Sequence, residues 1–316
     1  MSWLTQFLEK LGFIKPQVEM QQKENVVVEE PIKQNVEIVK EKVLENRRGT
    51  FIIADVYPLD LDNPRTPELD IPPFKNLVGL KFSEGKEVVG AVIKAGEGLG
   101  WGKRNDDWFK KSWTEIKKAG SENYGNTWFR GCYFFLRFTQ DGAKQADLFC
   151  DIVEAAGGWG EGDLMPWLDI ESGGQGSWSK GVKDLSTLPK ATKLKMAEDV
   201  KKCATAFVKR FKERTNGMRI AIYGRGIARD LEMKEFLFGA DSVVNPAYTR
   251  TMPKMDSYGV PLDKISFWQL CGDGSVEAVG FASEIPGWGK TDYSVYIDDA
   301  NVPTLDSLRQ RCLAKI

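Results

Sequence analysis

The chain has 316 residues, 44 Lys and Arg against 45 Asp and Glu, and no histidine at all. Without imidazole there is no Ser-His-Asp or Cys-His machinery, no HExxH metal site and no His-bearing zinc cluster, so acid–base work falls to carboxylates, Lys, Tyr or Cys. A formal net charge of -1 argues against a nucleic-acid binder, and a hydrophobic content of 42% supports a packed core.

At the N-terminus Trp3, Leu4, Phe7, Leu8 and Leu11 recur at helical spacing, so residues 1–14 are expected to form a short amphipathic helix. Its stripe has two readings: it docks back on the main domain, or it anchors the chain to a virion or other protein partner or to a membrane surface. Residues 15–48 hold seven basic and seven acidic side chains and no aromatic one. Such a stretch buries little, which predicts a charged linker or an isolated charged helix. No basic start with a continuous apolar stretch marks a leader, and no apolar run approaches the roughly 18–20 residues of a membrane span. The expectation is synthesis in a cytoplasm. Cys132, Cys150, Cys203, Cys271 and Cys312 include no CxxC pair and read as small buried hydrophobes.

From residue 49 onward apolar runs alternate with helical patterns. Strands are predicted over 50–57, 88–94, 129–138, 165–171, 219–223, 242–248 and 265–270. Helical periodicity runs through 145–156 by way of Phe149, Ile152 and Val153. It recurs through 191–214, where Ala197, Val200, Ala204, Phe207 and Phe211 share a face, with Gly217 as a stop. Residues 301–316 read as a final helix. Strands alternating with helices imply parallel β/α units, and the span 49–316 suits an α/β, TIM-like (β/α) barrel, a fold of about 250 residues.

In such a barrel the reactive groups sit where strands end. Here the run at 51–55 ends in Asp55, the next apolar run ends in Lys94 with Glu97 beyond it, and residues 166–171 place Asp169 and Glu171 two apart. Asp292 closes the set. Residues i and i+2 of a strand face one side, so Asp169 and Glu171 would both point into the barrel mouth. Two neighbouring acids in a partly desolvated site cannot both ionise freely, and a retained proton beside a carboxylate is what glycosidic cleavage uses. Two other readings stand beside it: a surface strand with two solvated acids, and a divalent-metal site built from Asp55, Asp169, Glu171 and Asp292. Trp101, Phe135, Trp178, Tyr248 and Trp268 are candidate platforms for sugar rings, and the Gly/Ser-rich stretch 172–178 reads as a loop over the site.

Several segments, in order, resemble glycoside hydrolase family 25, the Chalaropsis-type lysozymes or N-acetylmuramidases. Residues 52–55 look like the family's first strand with its terminal Asp. Residues 92–98 are similar to its K-A-T-E-G segment, with Gly96 in place of Thr. Residues 131–135 and 145–149 resemble its G-x-Y-H-F strand and Q-A-x-x-F helix, with Phe134 where His is usual. Residues 166–171 resemble P-x-L-D-x-E, and 267–269 and 291–294 its closing W-Q-Y and V-D-x-N elements, with Ser294 for Asn. The resemblance implies cleavage of the β-1,4 bond between N-acetylmuramic acid and N-acetylglucosamine in peptidoglycan, by a monomer without cofactor or metal. By position Glu171 would be the general acid, Asp169 and Asp55 would orient substrate and stabilise charge, and Asp292 would assist. Lys94, Glu97, Phe135, Tyr248, Trp268 and Gln269 are the candidate substrate-binding residues. A wall hydrolase made in a cytoplasm without a leader reads as a phage-type lysin acting at the bacterial cell wall.

A family-18 chitinase would need D-x-D-x-E, and Trp167 occupies the first of those positions. The alternative from another class is a non-catalytic glycan-binding or structural virion protein that keeps the barrel.

Overall fold

The computed structural model describes residues 50–57, 73–83, 86–100, 103–121, 128–175, 185–233, 236–248, 260, 262–271, 284–285, 289–298 and 303–314. The expected N-terminal helix and linker, Trp101 and Trp178 lie outside the described residues. In chain order the strands are β1 (Thr50–Val56), β2 (Lys81–Ser83), β3 (Lys86–Glu97), β4 (Phe129–Phe135), β5 (Trp167–Asp169), β6 (Ala221–Tyr223), β7 (Ser242–Pro246), β8 (Ile265–Cys271), β9 (Glu284–Ile285), β10 (Gly289–Lys290) and β11 (Asp292–Tyr296). The α-helices are α1 (Lys103–Ser121), α2 (Gly142–Ala155), α3 (Lys190–Arg214), α4 (Arg225–Asp230) and α5 (Leu305–Cys312).

Strands β1, β3, β4, β5, β6, β7 and β8 pair successively in parallel. Strand β11 then pairs antiparallel with both β8 and β1, which closes an eight-stranded ring. Strand β2 flanks β3 outside the ring, and β9 and β10 form a separate two-stranded sheet. The expected α/β barrel is present. Its eighth strand and helix α1 were not anticipated, although Trp108, Phe109, Ser112, Trp113 and Ile116, all buried, carry helical periodicity.

Two apolar layers follow from the strand alternation. Phe51 and Ile53 of β1, Trp167 of β5, Ala221 and Tyr223 of β6, Val244 of β7, Phe267 of β8 and Tyr296 of β11 form the barrel interior. Their neighbours Ile52, Ala54, Leu168, Ile222, Val243, Trp268 and Val295 face outward into a larger core. There Phe149, Val153, Phe207 and Phe211 bring α2 and α3 against the sheet. Helix α5 belongs to the inner layer instead: Leu305, Leu308 and Cys312 pack with Phe51 and Met165. The Met165 N–H donates to the Cys312 carbonyl at 2.7 Å and the Ala314 N–H to the Asp163 carbonyl at 2.9 Å. The final helix therefore plugs the end of the barrel where the parallel strands begin, and a Thr304–Ser307 capping box fixes its start. Polar groups are left to the opposite end.

Candidate active site

On three of the parallel strands the interior face continues, two residues further on, into a polar side chain. Asp55 follows Ile53, Asp169 follows Trp167 and Gln269 follows Phe267, each at the strand end away from α5. Strand β11 supplies its acid from its first residue, because it runs the other way: Asp292 stands directly across from Asp55 in register. Four carboxylates from three chain-distant segments thus converge. Buried Tyr133 of β4 registers all of them; burial pushes its phenol well above its usual value, and the charges of Asp55, Asp169, Asp292 and Glu171 push it further.

Gln269 organises the centre and is 1% exposed. Its Nε2 donates to Asp55 Oδ2 at 3.3 Å and, at a long 3.5 Å, to Asp292 Oδ2. Its Oε1 accepts from the Tyr223 hydroxyl at 2.7 Å and from the Tyr248 hydroxyl at 3.3 Å. With donors toward acids and acceptor toward phenols, the amide has one satisfying orientation.

Asp169 is held toward its protonated form. It is half-buried as a residue, yet its Oδ1 is enclosed without a hydrogen-bond partner among the described residues. Burial raises its carboxyl well above the ordinary 3.8; the Glu171 charge raises it further, Lys94 opposes, and Asp55 and Glu97 add smaller increments. Tyr223, level with Asp169 in the sheet, is also pushed well up by burial and then by Glu171.

On the β3 side, Lys94 donates to Glu97 Oε2 at 2.5 Å. Residues i and i+3 of a regular strand face opposite sides, but a bulge between Lys94 and Gly96 rotates Glu97 back toward Lys94. The other carboxylate oxygen of Glu97 accepts from Arg137. Glu97 is therefore a counter-ion between two cations. Phe135 is 3% exposed and lies beneath the same cations, with Lys94 Nζ 5.0 Å and the Arg137 guanidinium 5.2 Å from its ring centre. Its ring is a base for those two charges. Trp268 faces the outer core, and its indole N–H donates to the Ala247 carbonyl at 2.7 Å. Tyr248, 46% exposed, places its hydroxyl beside Gln269.

Three residues of this end were not anticipated: Tyr133, Tyr223 and Arg137. Tyr133 and Tyr223 lay inside predicted strands on the inward parity, so strand alternation could have found them. Among the described residues no group of three or more acids or cysteines is arranged to hold a metal ion.

Neither a family model nor a curated protein matches the sequence. Solved structures do. A family 25 glycosyl hydrolase from Bacillus anthracis is similar at 21% identity and TM-score 0.52, over 79% of this chain and 90% of that one. A GH25 lysozyme from Aspergillus fumigatus is similar at 20% identity and TM-score 0.51, over 84% and 100%. A bacterial lysozyme from Streptomyces coelicolor is similar at 21% identity and TM-score 0.51, over 83% and 98%.

The chain shares their fold.

Seen in that fold, two of the sequence departures lie away from the acids. Phe134 is fully buried in the outer core, 5.4 Å from the rings of both Phe149 and Phe207. Gly96 packs against Phe134 from the neighbouring strand. Ser294 is different: it lies on the inner face of β11 between Asp292 and Tyr296, fully buried, opposite Ile53 and Gln269.

Proposed function

We propose that the protein is a peptidoglycan hydrolase of the family 25 type, cleaving the β-1,4 bond between N-acetylmuramic acid and N-acetylglucosamine. The observation that carries this reading is the convergence of Asp55, Asp169, Glu171 and Asp292 around Tyr133 at one end of a barrel whose other end is plugged. The fold shared with three lysozymes and glycosyl hydrolases supports it.

The chemistry follows from the unequal surroundings of the acids. Burial and mutual charge keep a proton on the Asp169–Glu171 pair above the ordinary carboxylate range. Glu171, at the start of the turn that follows β5, delivers it to the leaving glycosidic oxygen as the bond breaks. Asp169 and Asp55 then face the oxocarbenium-like sugar with negative charge, and Asp292 assists from beside Asp55. Gln269 holds Asp55 and Asp292 at fixed separation while the two tyrosines close its acceptor side. Water completes the hydrolysis, and the exposed Tyr248 is the candidate platform for a sugar ring.

The test is product analysis. Peptidoglycan digested by the pure protein and reduced with borohydride should carry reduced N-acetylmuramic acid and intact peptides by mass spectrometry, with or without a chelator. Reduced N-acetylglucosamine or cut peptides would overturn the bond assignment. Activity lost with a chelator and restored by a divalent ion would favour the metal reading. No digestion at all would favour a non-catalytic wall binder.

For residues 1–48 we propose a tether, in which the Trp3–Leu11 stripe docks on a lipid surface and the charged stretch sets the reach. Deleting them should leave the melting temperature unchanged and reduce co-sedimentation with liposomes; a much earlier melt would show a structural role instead.

A further inference from the structure

We infer that Arg137 is a positioning residue of this site, a strut that holds the turn carrying Glu171 against the end of β3. Its guanidinium donates to the carbonyl of Gly173, in the 3-10 turn Ser172–Gln175 that directly follows Glu171. The same guanidinium donates to Glu97 at the end of β3 and lies 5.2 Å from the Phe135 ring centre. Its aliphatic stem packs on Gly98, where a Cβ would stand 2.6 Å from Arg137 Cγ. Gly98 has φ +54°, so both space and backbone call for glycine there.

The backbone of Arg137 is pinned as firmly. Gln145 of α2, fully buried, accepts from the Arg137 N–H at 2.9 Å and donates to the Arg137 carbonyl at 2.9 Å. Asp141 caps the helix that carries Gln145 by accepting from the Lys144 N–H at 3.0 Å. A chain of contacts therefore runs from α2 through the Arg137 backbone to its side chain, and from there to the Glu171 turn. Two backbone bonds lie parallel to it, Leu136 N–H to the Asp169 carbonyl at 2.8 Å and Phe138 N–H to the Gly174 carbonyl at 3.1 Å. They fix the height of the turn. The guanidinium links the turn to the end of β3, and its planar fork holds a carbonyl and a carboxylate in one fixed geometry that a freely rotating ammonium does not impose.

The kinetic side of this inference rests on the hydrolase reading, whereas its structural side does not. Arg137→Ala and Arg137→Lys in the full chain separate the two. Amide hydrogen exchange over residues 171–174 should rise about tenfold in R137A and less in R137K, with Gly142–Ala155 unchanged. On soluble glycan strands, R137A should lose about 10²-fold in kcat with KM within about threefold, and R137K should recover part of the loss. If R137A unfolds the barrel, R137K alone carries both readouts. Unchanged exchange at 171–174 would overturn the inference, as would a kcat within about twofold of wild type, given the scale of misplacement effects. A wild-type protein that cuts no glycan, with exchange still responding, would sink the hydrolase reading and leave the strut standing.

Discussion

A Cβ placed on Gly96 would lie 2.6 Å from Cε2 of Phe134. Two positions at which the sequence departs from the pattern it resembles, Gly96 and Phe134, are therefore in direct contact. The ring at 134 fills the space beside 96 and completes the cluster with Phe149 and Phe207. Phe134 lies off the interior face that carries the acids.

That contact is testable by stability. Gly96→Thr alone should cost roughly 1–3 kcal/mol by overpacking. Phe134→His alone should destabilise as well, by placing a polar ring in an apolar cluster. The double variant should lose less than the sum, and a denaturant-unfolding cycle with no coupling would show that the contact is immaterial.

Glu171→Gln preserves size and removes the proton. Hydrolysis of soluble glycan should fall by ~10²–10⁴-fold, the usual worth of general-acid assistance, with the thermal melt unchanged. A variant that clears cell walls at the wild-type rate would remove Glu171 from the mechanism.

Asp169→Asn should lose activity and gain stability. The folded-state value of Asp169 is raised above 3.8, so in that window the native state binds more protons than the unfolded one. Stability then falls as pH rises from about 3.8 through the raised value. The variant escapes this cost: its melting temperature should match wild type at acid pH and exceed it by a few degrees near neutrality, since ~1 kcal/mol moves a domain of this size by about 2–4 °C. An equal pH dependence of the two melts would contradict the raised value.

Gln269→Glu inserts a carboxylate between Asp55 and Asp292 while keeping the shape. At neutral pH the three like charges should reduce kcat/KM strongly, and acidification should restore part of it as the new acid takes a proton and again donates. Gln269→Leu should be poor at every pH. A pH–rate profile that is identical for the two variants would show that Gln269 only fills space.

Much of the site was legible in the sequence because it rests on local rules. Period-two alternation placed Asp55 and Asp169 on the inward parity of buried strands, and Phe267 fixes the same parity for Gln269. What the sequence could not decide is what depends on non-local pairing. Asp292 reaches the acids because β11 is antiparallel, so its first residue meets the last residues of its neighbours; strand direction is set by ring closure and not by the strand's own composition. Glu97 turns toward Lys94 through a bulge that register with β4 imposes. Trp268, one residue from Gln269, faces away because a strand has two sides and the outer helices claim one of them. Arg137 finds the Glu171 turn only after β4 and β5 lie side by side. Local chemistry, in short, named the acids from the sequence, and closure of the barrel determined which of them meet and what holds them there.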